Sequence, residues 1–156
     1  MPADVEAPHP RALWVHGACL QPPGGEGAVL LPGHSGIGTS TASLRLCLAG
    51  WRYLGDDLAL LDPSTLEVTG LTWPIHVTPD GEERAELTRQ GFRSVPSRWV
   101  RESGELELSE AIRPPARLLV PDGGSLPLAG VLFLERGPAE IRPLTAGEAL
   151  TRLWPQ

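Results

Sequence analysis

A glycine-rich run, GHSGIGTS at Gly33 to Ser40, has the residue types and spacing of a phosphate cradle. Gly33, Gly36 and Gly38 permit a tight turn whose backbone approaches a ligand closely, where any Cβ would intrude. The spacing is GxxxxGTS, against the GxxxxGK[ST] pattern of phosphate-binding loops. Thr39 therefore stands where a lysine would reach the terminal phosphates, and Ser40 where a hydroxyl would contact Mg2+. Downstream lie two adjacent carboxylates, Asp56 and Asp57. One suits a magnesium ion, directly or through water, and the other can accept a proton from an attacking hydroxyl. The plainer alternatives are a glycine-rich connection that binds nothing and an acidic pair that solvates a turn.

Particular elements must position these groups. Ala28 to Leu31 is a short continuous apolar run ended by Pro32 and Gly33, which predicts a buried strand feeding the loop. Ser40 and Thr41 open a largely apolar segment that stops at Gly50, as expected of a helix. Backbone N–H groups of the loop, His34, Ser35 and Ile37 included, then converge with the positive helix end on one anion site. Trp51 to Leu54 predicts the next strand, broken by Gly55, with Asp56 and Asp57 at its carboxyl end, where open α/β sheets bind ligands. Upstream, Ala12 to His16 and Ala18 to Leu20 predict strand pieces that lay His16 beside the loop.

Composition narrows the function. A chain of 156 residues fits one domain, with residues 1–11 as a disordered lead-in and 12–156 folded. Only 41% of residues are hydrophobic, while Gly (18) and Pro (17) are plentiful, so the core is concentrated in a few segments. All 13 basic residues are arginine, so no distant lysine can replace the one missing at Thr39. The net charge of −6 argues against binding a nucleic-acid backbone. Cys19 and Cys47 read as reduced core residues, and no spacing recruits His9, His16, His34 or His76 to zinc. The start, MPADVEAPHP, lacks the features of a signal peptide, and no apolar run approaches the roughly 18 residues of a membrane span. A cytoplasmic protein without nucleic-acid or membrane partners is expected.

The order of His16-Gly17, GHSGIGTS at Gly33 to Ser40, a helix ending in glycine, and GWRYLGDD at Gly50 to Asp57 resembles the kinase core of the HPr kinase/phosphorylase family and its shorter HPr-kinase-related relatives. The closing stretch VLFLERGPAEIRPLTAGEAL is similar to the end of the HPr-kinase-related proteins, so the likeness covers about half of the chain. It implies an α/β P-loop kinase core of the HPr kinase / phosphoenolpyruvate-carboxykinase-like type, a mixed sheet with flanking helices. It also implies ATP-dependent serine phosphorylation of a small carrier protein or peptide, with ATP and Mg2+ as cofactors and a homo-oligomeric assembly. By position, Gly33 to Thr41 would bind nucleotide, Asp57 would accept the serine proton and His16 would lie near the transferred phosphate. Ser40 and Asp56 would then hold the metal, with Glu67 a candidate for the family's further magnesium-binding glutamate.

Thr39 departs from that pattern. Loss of a charge-assisted hydrogen bond of about 1.5 to 3 kcal/mol corresponds to roughly ten- to a hundredfold in affinity, and loss of a transition-state stabiliser to about 10² to 10³ in rate. The alternative is therefore a nucleotide-binding pseudokinase or regulatory module, and beyond it a structural module with an empty loop. Arg45 and Arg52 are expected to point elsewhere, so a compensating arginine is sought within residues 84–117 or in another subunit. In the middle of the chain, Pro74 to Val77 predicts a short edge strand, Gly81 to Gln90 a helix stopped by Gly91, and the stretch around Arg98, Trp99 and Arg101 a mobile loop, with a substrate or oligomer contact as the alternative. At the end, strands are expected at Ala129 to Leu134 and Glu140 to Leu144. Thr145 with Glu148 then caps a helix that packs through Leu150, Leu153 and Trp154.

Overall fold

The computed structural model describes residues 12–100, 106–121 and 124–153. Among these residues it is mixed α/β, with a six-stranded mixed sheet, a separate two-stranded sheet and three α-helices. In chain order the elements are β1 (Leu13–Gln21), β2 (Ala28–Pro32), α1 (Thr39–Leu48), β3 (Arg52–Gly55), β4 (Leu58–Leu61), β5 (Glu67–Gly70), α2 (Gly81–Arg89), β6 (Arg93–Val100), β7 (Leu106–Arg113), β8 (Ser125–Val131) and α3 (Ala146–Leu153).

The large sheet is built around β1, which is one strand rather than two pieces. Its first half pairs with β4, from Leu13↔Leu61 to His16↔Leu58, and its second half with β2, from Gly17↔Pro32 to Leu20↔Val29. Cys19 to Gln21 also pair with β3. Gly17 is the crossing point. A Cβ there would lie 2.2 Å from the Leu31 carbonyl oxygen, and its φ of 151° lies outside the range most side chains adopt. Glycine therefore lets β1 pass close to β2 while changing partners. From β2 the pairing continues to β8, β5 and β4 and returns to β1. Among the described strand pairs, only β2 and β8 run parallel.

Alternating side chains divide the core in two. Ala18, Leu20 and Leu31 face Leu44 and Cys47 of α1, together with Tyr53, Ile75, Leu87, Phe92 and Ile112. Cys19, Ala28 and Leu30 face Val15, Leu54, Ala59, Leu61 and Val68. The uninterrupted apolar run of β2 is explained by burial on both faces. Both cysteines are free and buried, as expected, and burial pushes each thiol up to about 12.

Several expectations are corrected. Gly55 does not break β3 but ends it within the ladder, opposite Cys19, and the interruption falls on Asp56 and Asp57. The stretch around Arg98 and Trp99 is not a loop: β6 and β7 pair along their whole length, from Arg93↔Arg113 to Val100↔Leu106. Pro96 is tolerated because β6 has a partner on one side only, where its missing N–H breaks no second ladder. Arg101 and Trp154 lie outside the described residues, as does the 1–11 lead-in. Pro74 to Val77 forms a single bridge, Ile75↔Ile112, rather than a strand.

The last strand begins at Ser125 and alternates between exposed and half-buried residues, because β8 offers only one face to the core. No strand forms over Glu140 to Leu144. Pro138 and Pro143 withhold N–H donors there, and Ile141 is 88% exposed without a pairing neighbour. α2 matches expectation, with Asp80 accepting from the Glu83 N–H at 2.8 Å and Gly91 at φ 84°. α3 is capped as expected: the Thr145 N–H donates to Glu148 Oε2 at 2.8 Å, and the Glu148 N–H donates to Thr145 Oγ1 at 3.3 Å. Leu153 packs on the core, but Leu150 is 66% exposed and does not.

Candidate functional site

β2 delivers the chain to the glycine loop, and α1 leaves it. The Gly33 N–H donates to the His16 carbonyl at 3.1 Å, tying the loop entrance to β1. Gly36 and Gly38 have φ values of 86° and 109°, and nothing lies within 4 Å of where a Cβ would sit on either. The loop surface is therefore open at those two points. Gly38 caps α1 without a side-chain hydrogen bond, and the first turn contains no acidic residue. The leading N–H groups of α1, at Thr39, Ser40 and Thr41, thus lack the side-chain acceptor that commonly satisfies a helix start. His34, Ser35 and Gly36 are exposed, Ile37 and Ser40 half-buried, and Thr39 buried.

Two polar constellations meet this loop. Asp56 is 6% exposed, the Ser43 hydroxyl lies 2.9 Å from its Oδ1, and the Ser40 hydroxyl is near enough to favour the charged carboxylate. Burial raises its pKa above the ordinary carboxylate value, the two serine hydroxyls oppose that rise, and neighbouring Asp57 adds to it. The residues expected to hold a metal, Ser40 and Asp56, are therefore neighbours. Ser43 was not expected. Its place on α1, three residues beyond Ser40 and so on the same helical face, was the signal available for it.

His16 and Asp57 form the second constellation. His16 Nδ1 lies 2.5 Å from the Gly33 carbonyl oxygen, and Nε2 lies 3.3 Å from Asp57 Oδ1. A carbonyl only accepts, so Nδ1 donates, which turns Nε2 towards the carboxylate. The Gly17 N–H donates to the Asp57 carbonyl at 3.1 Å and holds that residue beside β1. The side chains are 43% and 56% exposed, so an incoming hydroxyl can reach the pair. His76 stands on a segment that passes the site, its exposed ring 3.4 Å from Ser97 Oγ through Nε2. Its segment is held by the Tyr53 hydroxyl donating to the Trp73 carbonyl at 2.7 Å and by the Ile75↔Ile112 bridge. No local pattern announces His76, since tertiary packing brings it there.

Glu67 does not join the site. It starts β5, where Asp62 donates its N–H to the Glu67 carbonyl, whereas the Asp57 end of β4 pairs with the other end of β5 through Ala59↔Gly70. The strand length separates them. Among the described residues, no group of three or more His, Cys, Asp or Glu side chains is gathered to hold a metal.

The arginines depart from expectation in an informative way. Arg45 pairs with Glu83 at 3.0 Å and Arg52 donates to Gln21 Oε1 at 2.9 Å, so both point elsewhere, as anticipated. Within 84–117, Arg84 pairs with Glu110, Arg89 with Glu86, and Arg117 donates to the Gln90 carbonyl. From outside that range, Arg136 reaches the loop, its Nη2 donating to the Gly36 carbonyl at 3.2 Å. An open cleft of ≈ 730 Å³ lies there, lined by His34, Ser35, Gly36, Ile37, Leu134, Glu135 and Arg136.

Among the described residues, no helix is long and apolar enough to cross a membrane. No protein-family model, curated protein or solved structure matches the chain.

Proposed function

We propose that this chain is an ATP-binding protein of the HPr-kinase-related type, with a P-loop kinase core that phosphorylates serine on a small protein or peptide. The supporting observation is the convergence on one glycine loop of the Ser40–Asp56 and His16–Asp57 pairs. The cradle suits phosphate, because Gly36 and Gly38 leave its surface open and the start of α1 is uncapped by side chains. The donor set suits Mg2+, which binds through one or two carboxylates together with phosphate oxygens. Asp56 and Ser40 would hold it, and its charge would offset the burial that disfavours the Asp56 carboxylate. Bound MgATP would supply the γ-phosphoryl group, its bond to the ADP oxygen breaking as the serine oxygen attacks, and the Mg2+ would neutralise the charge that develops.

The chain's own residues do the rest. Asp57 accepts a hydrogen bond from the serine hydroxyl and takes its proton as the oxygen attacks. His16, fixed through Nδ1, holds an unprotonated Nε2 3.3 Å from Asp57 Oδ1, where it accepts a hydrogen bond from the carboxyl once Asp57 has taken the proton. Thr39, a buried hydroxyl at the lysine position, favours a second reading in which nucleotide binds without turnover and sets the conformation offered to a partner.

The test combines unfolding midpoints with and without MgATP and phosphate transfer to serine peptides. Binding raises stability by about 2.7 kcal/mol at a hundred times the dissociation constant. Transfer should fall by at least about 10² in Asp57→Asn, whose exposed side chain leaves the fold intact. A shift without transfer selects the second reading, and no shift overturns nucleotide binding.

A further inference from the structure

We infer that Arg136 is the cation of the phosphate site, supplying from the far end of the chain the charge that Thr39 lacks. The inference rests on the nucleotide-binding reading above. β2 and β8 are parallel neighbours, with Val29↔Gly130 and Leu30↔Val131 in register. Parallel strands send their continuations out of the same sheet edge. The glycine loop that follows β2 and the segment that follows β8 therefore emerge side by side. The Leu132 N–H donates to the Leu30 carbonyl at 2.8 Å, carrying that alignment past the end of β8. Gly36 and Arg136 meet across the cleft although 100 residues separate them.

The segment carrying Arg136 is braced by α3. Arg152 pairs with Glu135 and lies over the Phe133 ring at 5.7 Å from its centroid. Glu135 is thereby engaged by another cation, next to the arginine that faces the loop. A guanidinium has five N–H donors in a rigid fork, so the Gly36 contact leaves others for phosphate oxygens. The ligand class is a polyphosphate anion on a nucleoside, with the guanidinium at its charged end. Arg136 lies outside the P-loop pattern, and its position depends on the β2–β8 pairing rather than on spacing.

The experiment is calorimetric titration of the full chain with MgATP, inorganic triphosphate and AMP, comparing the wild type with Arg136→Gln, Arg136→Lys and Arg136→Gln/Thr39→Lys. Arg136→Gln should weaken MgATP and triphosphate by roughly ten- to a hundredfold. AMP should change far less, because it lacks the terminal phosphates. Arg136→Lys should stay within several-fold of wild type, and Thr39→Lys should restore binding to Arg136→Gln. Equal MgATP binding by wild type and Arg136→Gln overturns the inference and leaves the nucleotide reading standing. A loss that neither lysine recovers also overturns it, since Arg136 would then act by holding the loop in shape. Absence of binding of both polyphosphates by the wild type overturns the nucleotide reading and the inference together.

Discussion

Asp56→Asn should stabilise the ligand-free protein while removing its response to magnesium nucleotide. The carboxylate is 6% exposed and has two serine hydroxyls beside it. Hydrogen bonds to a charged group contribute about 1.5 to 3 kcal/mol each, whereas burial of an ion costs several kcal/mol. The upward pKa shift means that burial wins. Asparagine keeps the shape and an oxygen for Ser43, and its amide can donate to the Ser40 hydroxyl. A net gain on the order of 1 kcal/mol at pH 7 follows, in the range found when a functional site is relieved of a costly group. For a chain of 156 residues this raises the midpoint by about 3 °C.

The pH dependence gives the sharper test. The folded pKa of Asp56 lies above the unfolded value of about 3.9. Between the two values the native state holds a proton that the unfolded chain has released, so this group's contribution to stability falls as pH rises through that window and stays lowered above it. The advantage of Asp56→Asn should therefore be smallest near pH 4 and grow as pH rises. With saturating MgATP the order should reverse, because only the wild type retains the carboxylate for the metal. Urea denaturation followed by tryptophan fluorescence across pH 4 to 8 measures both effects. A variant less stable than wild type by about 1 kcal/mol at pH 7, or a difference independent of pH, would refute the reasoning.

Gly17→Ala should cost more than about 4 kcal/mol, because its methyl group meets backbone rather than a movable side chain; native-like circular dichroism and an unchanged midpoint would contradict this. Cys19 and Cys47, with thiols raised to about 12 and little solvent access, should react with a thiol reagent only on unfolding. Rapid labelling of the native protein at pH 8 would count against that. Thr145→Ala removes both hydrogen bonds of the Thr145 hydroxyl to Glu148 and should cost about 1 kcal/mol, read as a drop in midpoint of about 3 °C.

The chain by itself determined what is local. The apolar run of β2, the glycines that follow and the capping residues of α2 and α3 act within a few positions of one another, so backbone sterics and periodicity reveal them directly. The same is true of Asp56 and Asp57 at the end of β3, where a strand must give way to polar groups. Their approach to Ser40 and His16 is one step removed: it follows from a strand, loop and helix packing on neighbouring strands, and the pattern of residues anticipated it. Tertiary structure decided the rest. Pairing of β6 with β7 turned a polar, proline-containing stretch into a ladder, because partner N–H and C=O groups override weak local preference. Among the described residues no strand lies alongside Glu140 to Leu144, and no ladder forms there. The arginine at the loop escaped the sequence for the same reason. Residue types show a threonine at position 39 where the phosphate-loop pattern has lysine, but only the parallel pairing of β2 and β8, a contact between distant segments, brings Arg136 to Gly36.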